Sequence, residues 1–234
     1  MLKPLAYLAV VLMVGFSLAL AAEEKPAAPA DKPAADKPAA PAVDKEGFRP
    51  LFNGKDLTGW KADDEAKKHW IIEDGVIKYD GKNKDLWTQD PFTDFVLKVD
   101  WRLMTQGGDS GIFLRGSSKC QCNIWCDKLG SGEVYGYRTD SKQPEEVRKG
   151  CTPSKRADKP VKEWNSFVIT MKGDRLTVVL NGEEVISNAQ LPGAPPKGPI
   201  ALQHHGTPLE FRNILTKELK EPAAEKPAEK EGAK

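Results

Sequence analysis

The sequence predicts an all-β fold, a two-sheet antiparallel sandwich of the jelly-roll kind, and three observations carry that prediction. Two segments alternate strictly: Phe95, Leu97, Val99 and Trp101 against Val96, Lys98 and Asp100, then Leu176, Val178 and Leu180 against Arg175, Thr177 and Val179. Period-2 alternation marks a half-buried strand. Asn181-Gly182 separates Leu-Thr-Val-Val-Leu from Glu-Glu-Val-Ile. That dipeptide tolerates the two positive φ angles of a type I′ hairpin turn. No stretch carries a sustained, capped apolar stripe of period 3.6, and Asp63 to His69 has room for one exposed helical turn.

The remaining strands follow in order between Gly and Pro clusters: residues 70–72, 76–79, 85–88, 111–115, 121–125, 133–137, 166–171, 199–204 and 209–216. Many short strands without helices make a sandwich or barrel. Their set fits one domain, expected over residues 47–219, long enough to bury a core.

The flanks have a different composition. Lys3 precedes an apolar run from Leu5 to Leu20, and Ala19-Leu20-Ala21 offers a small-x-small cleavage pattern. Residues 1–22 therefore read as an export signal, and the run is short for the roughly 20 residues of a membrane anchor. Residues 23–46 are almost all Ala, Pro, Lys, Asp and Glu, and residues 220–234 resemble them. Such composition cannot fill a core and reads as a linker and a tail. The protein is expected to be exported, periplasmic or extracellular, with no stable membrane span after cleavage. Net charge is +1, with 35 Lys and Arg against 34 Asp and Glu. That balance leaves no electrostatic footprint for nucleic acid.

Strand alternation sorts side chains by face. With Ile112 and Leu114 inward, Phe113 and Arg115 face the other way. Cys120, Cys122, Ile124 and Cys126 share one face of the next strand, and Gln121, Asn123 and Trp125 the other. Val134 inward puts Glu133, Tyr135 and Tyr137 opposite. Ile200 and Leu202 inward put Gln203 and His205 opposite. Amides, an arginine and aromatic rings on one face suit a sugar, whose paired hydroxyls meet the polar groups and whose C–H surface meets the rings. The plainer alternative is a solvated strand face. His205, on the favoured face, suits proton transfer near neutral pH. His204 points to the opposite face, and His69 lies in a charged turn. Asp109, in a Gly-Gly-Asp-Ser-Gly turn, either stabilises the loop or joins the site.

Cys120, Cys122, Cys126 and Cys151 match no zinc spacing, so no metal or other cofactor is called for, and calcium is unsupported. A disulfide from the 120–126 segment to Cys151 is the preferred pairing, with buried thiols as the alternative. Gly-x-Ser-x-Gly, phosphate-loop and His-Glu-x-x-His signatures are missing.

Several segments together resemble a known family. Phe48-Arg-Pro-Leu-Phe-Asn-Gly-Lys-Asp-Leu-Thr-Gly-Trp60 looks like its opening, and Trp70-Ile-Ile-Glu-Asp-Gly-Val-Ile77 like its next element. Phe95 to Trp101 with Gly108-Asp-Ser-Gly-Ile-Phe-Leu-Arg115 resembles its central motif. Trp164-Asn165, Leu180-Asn-Gly182, Gly198-Pro-Ile-Ala-Leu-Gln203 and Phe211-Arg-Asn-Ile214 complete it. The chain is thus similar to the 3-keto-disaccharide hydrolase domain, in the concanavalin A-like lectin/glucanase superfamily. The resemblance implies a sugar site on the sandwich and cleavage of glycosides already oxidised at C3. For that reaction, strand face and chemistry alone suggest His205 as base, Arg115 as anion stabiliser and Glu133 as acid, with Gln121, Asn123, Trp125, Tyr135, Tyr137, Gln203 and Asp109 holding substrate. One departure stands out. Many members carry Glu-x-Gln where this chain has Gln121-Cys122-Asn123, and a glutamine cannot transfer a proton as an acid. Two further readings stay open: a non-catalytic carbohydrate-binding module, and a surface adhesion or scaffold protein tethered by its tails.

Overall fold

The computed structural model describes residues 43–125 and 129–219. The expected signal, most of the linker and the tail lie outside them. Twelve strands form two antiparallel sheets. The larger runs β10-β9-β8-β5-β12-β3-β2, with β1 (Arg49–Pro50) on β12 (Leu209–Glu218). Its other members are β2 (Trp70–Glu73), β3 (Val76–Tyr79), β5 (Phe95–Leu103), β8 (Asn165–Lys172), β9 (Arg175–Leu180) and β10 (Glu183–Gln190). The smaller sheet runs β4-β11-β6-β7, from Leu86–Trp87, Ala201–Leu202, Asp109–Leu114 and Ser117–Trp125. The all-β sandwich expected from the sequence is the fold observed.

Apolar alternation builds the core. Every second residue of β5, from Phe95 to Leu103, is buried, and β8 and β9 answer with Phe167, Ile169, Met171, Leu176, Val178 and Leu180. Ile112, Leu114, Cys120, Cys122 and Ile124 close the core from the small sheet. In β12 the alternation changes phase, from Leu209 and Phe211 to Ile214 and Thr216. Asn213, at φ +52°, supplies the extra residue of that bulge against β5. Asn181 (φ +52°) and Gly182 (φ +87°) make the expected hairpin turn between β9 and β10.

Two expectations fail locally. Residues 133–137 do not form a strand. After an isolated bridge from Cys122 to Val134, the chain turns into α2 (Tyr135–Arg138). A short α3 (Glu145–Gly150) follows, too brief to show a helical period in sequence. The exposed turn foreseen near residue 66 is α1 (Ala66–His69). His69 is only 19% exposed, held by Asp80 at 2.9 Å, so it is not simply a solvated side chain. Cys120, Cys122 and Cys151 are buried free thiols, so no bridge joins the first two to Cys151, and Cys126 lies outside the described residues.

Candidate functional site

The outer face of the small sheet carries three bands of side chains, fixed by strand register. Ala201 pairs with both Trp87 and Phe113, and Phe113 pairs with Gln121. Trp87 and Phe113 lean together across β11, with ring centroids 5.9 Å apart, and Ala201 between them is fully buried. This is an aromatic platform.

The second band is made of amides. Gly111 pairs with Asn123 and receives the Gln203 N–H at its carbonyl (2.9 Å). Gln121 lies across Gly111: a Cβ there would sit 2.5 Å from Gln121 Nε2. Only glycine lets that amide cross the strand. Gln121 Nε2 donates to Asn123 Oδ1 (2.8 Å), Gln203 Oε1 (2.9 Å) and the Ser110 carbonyl (3.3 Å). Because both neighbours accept through oxygen, their NH2 groups, Asn123 Nδ2 and Gln203 Nε2, are left to donate elsewhere.

Glu133 ends this band. The Gly132 N–H bonds the Asn123 carbonyl and the Asn123 N–H bonds the Glu133 carbonyl, both at 2.8 Å. With Gly132 at φ +102°, this is a glycine bulge that sets Glu133 beside Asn123. Glu133 is fully buried and its carboxylate accepts from Arg138 Nε.

The third band is the acid–base end. Asp109 pairs with Trp125 in register, and His205 Nδ1 lies 3.8 Å from Asp109 Oδ2. With Gln106, Gly107, Gly108 and Thr207 they line a cavity of about 690 Å³. Asp109 Oδ1 and Trp125 Nε1 are buried without a hydrogen-bond partner among the described residues. Burial raises the Asp109 carboxyl above its usual range, and the nearby imidazole and the Ser110 backbone N–H only partly oppose this.

Seven of the residues singled out in sequence are therefore on this face: Gln121, Asn123, Trp125, Gln203, His205, Asp109 and, at its covered edge, Glu133. Three are not part of these bands. Arg115 has φ +50°, because the register slips after Phe113, and this turns its side chain inward. Its guanidinium donates to the carbonyls of Thr93, Gly173 (2.6 Å) and Pro195 and to Asp94 Oδ1 (2.6 Å), and the residue is 2% exposed. It ties strand ends together and has no reach to the face where the sequence reading set it. Tyr137 is rotated by α2 into the core, its hydroxyl on the Pro192 carbonyl and near the Cys120 thiol. Tyr135 is 46% exposed on the same helix, beside the Arg138 guanidinium. His204 leaves the face and meets the Tyr79 hydroxyl. Sequence reasoning overlooked Trp87, though an inward Leu86 already puts it on this face, and left out Phe113, whose face it had assigned. Among the described residues, no cluster of three or more His, Cys, Asp or Glu could hold a metal ion.

Comparison with known proteins bears on the family and the fold. A 3-keto-disaccharide hydrolase of Bacteroides thetaiotaomicron is 37% identical over 82 residues, covering 30% of this chain. The match spans 28% of that protein, so the chain corresponds to a minor part of its length. A solved structure from Parabacteroides distasonis, provisionally named a glycosyl hydrolase, is 25% identical with a TM-score of 0.59. It covers 74% of this chain and 84% of its own. Another from the same organism, at 23% identity and TM-score 0.59, covers 74% and 99% and shares the fold. The model of the 3-keto-alpha-glucoside-1,2-lyase-like domain matches residues 47–217, and the chain belongs to that family.

Proposed function

We propose that the outer face of the small sheet cleaves glycosides oxidised at C3, by elimination followed by hydration. The observation that carries this reading is the amide band: Gln121 donates to both neighbours and so leaves the NH2 groups of Gln203 and of the buried Asn123 to donate elsewhere. A 3-keto group acidifies the C2 proton. Its removal places negative charge on the C3 oxygen, and fixed donors at that oxygen lower the barrier. Asn123 Nδ2 and Gln203 Nε2 take this role, which Arg115 is too deeply engaged to fill. His205, 51% exposed at the mouth of the cavity, is the base. The partly exposed Trp87 ring, backed by the buried Phe113, offers apolar area to a sugar ring. Glu133, covered and paired with Arg138, steadies the end of the amide band.

The family and the Bacteroides relative's name support the substrate class. The N-terminal sequence supports export, so that the site meets its sugar outside the cytoplasm. The test is to incubate the purified chain with a 3-keto-disaccharide and with its unoxidised parent. Free sugar is expected from the ketone alone. Tight binding of both sugars with release from neither would overturn the enzymatic reading in favour of a carbohydrate-binding module.

A further inference from the structure

The elimination needs an acid for the departing oxygen, and neither Gln121 nor the covered Glu133 can serve. We infer that Asp109 supplies that proton, acting as a carboxyl–imidazole pair with His205; the inference rests on the 3-keto-glycoside reading. Asp109 opens β6 on the same face as Gly111 and Phe113, directly across from Trp125. Its Oδ2 faces His205 Nδ1 at 3.8 Å, close enough to couple charge and too long for a hydrogen bond. Asp109 lines a cavity large enough for a sugar unit with its side chain 31% exposed, while Oδ1 is buried without a partner among the described residues. A buried carboxyl oxygen left without a partner disfavours the charged carboxylate and so favours the acid form. The Trp125 side chain lines the same cavity, and its buried indole N–H has no partner among the described residues. The raised proton affinity of Asp109 keeps a larger share of it in the acid form than an exposed aspartate would have.

The proton balance closes over both halves. The His205 imidazole takes the C2 proton, and the C2–H electron pair becomes the enolate. That pair then forms C1=C2 as the C3 carbonyl returns and the C1–O bond breaks. The leaving oxygen keeps the bonding pair and receives the Asp109 proton. In hydration, water adds to C1, its proton passes to the Asp109 carboxylate, and His205 returns a proton to C2. Glycoside and water become a 3-keto sugar and an alcohol, and both side chains regain their starting states.

Leaving-group ability separates this role from a structural one. A sugar alkoxide needs the proton, whereas a 4-nitrophenolate departs without it. For Asp109→Asn, cleavage of a 3-keto-disaccharide should fall about 10²-fold or more, while cleavage of 4-nitrophenyl 3-keto-glucoside should fall less than about 10-fold. A misfolded fraction lowers both rates together and leaves their ratio unchanged. Equal losses on the two substrates would overturn the assignment of Asp109 and leave the substrate reading standing. Wild-type protein that cleaves neither would instead overturn the substrate reading.

Discussion

Gln121 is the residue on which the chemistry of the face turns. A glutamine donates to both flanking amides, so their NH2 groups are left to donate elsewhere. A glutamate could only accept, and would draw those NH2 groups inward while adding a charge beside the developing enolate. Gln121→Glu should therefore lower kcat on a 3-keto-glycoside by about 10²–10³-fold, the cost of losing a fixed donor to an oxyanion. Steady-state kinetics on the folded variant would check it; unchanged kcat would remove the amides from the mechanism. Asp109 yields a stability prediction. Its carboxyl binds a proton more tightly in the folded protein than in the unfolded chain, so its contribution to stability falls as pH rises from about 3.9 through the folded value. Asparagine has no such dependence. Asp109→Asn should therefore compare more favourably with the wild type at about pH 7 than at about pH 3.5, as Tm measured across pH would show. At this scale the sequence was informative where parity held: Gln121, Asn123 and Trp125 are on the face their alternation assigned. It failed at Arg115, which with Gly116 makes the positive-φ turn between β6 and β7 and so lies outside the strand parity applied to it.

At the scale of elements, the bulge at Gly132 and the turn at Arg115 decide where the face ends. A Cβ on Gly132 would lie 2.8 Å from Val185 Cγ2, with φ at +102° besides. Gly132→Ala should cost at least about 1 kcal/mol in urea unfolding and disturb the pairing of Glu133 with Asn123. Arg115 joins the end of β6 to the segments before β5, before β9 and before β11. Arg115→Ala would leave the partly buried Asp94 with only the Gly173 N–H and no opposite charge, and should destabilise the fold by about 3–5 kcal/mol. Activity per folded molecule should be retained, measured well below the unfolding midpoint; a specific loss of turnover would return Arg115 to the chemistry. The strands with regular alternation, β5 and β9, were legible in sequence because burial repeats every second residue. The 133–137 segment was not, since Val134 and its neighbours satisfy a strand pattern that one bridge uses before α2 begins.

For the whole molecule, the sandwich separates two tasks. The larger sheet and the inner face of the smaller one hold an apolar core, and the outer face of the smaller sheet is left to carry polar chemistry on rigid strands. Rigid placement matters because the donors must be oriented before charge develops. The fold was readable because strand periodicity and turn chemistry agree along its length. The site was readable only in part: Asp109, Trp125 and His205 were singled out and meet at one end of the face, whereas Arg115, Tyr135 and Tyr137 are carried off it by a turn and a short helix that break strand parity. The central claim is that the ketone works through the C2 proton at this face. The most direct test is single-turnover sugar release from a 3-keto-disaccharide carrying hydrogen or deuterium at C2. Slower release from the deuterated substrate is predicted, and equal rates, with bond cleavage limiting the turnover, would contradict it.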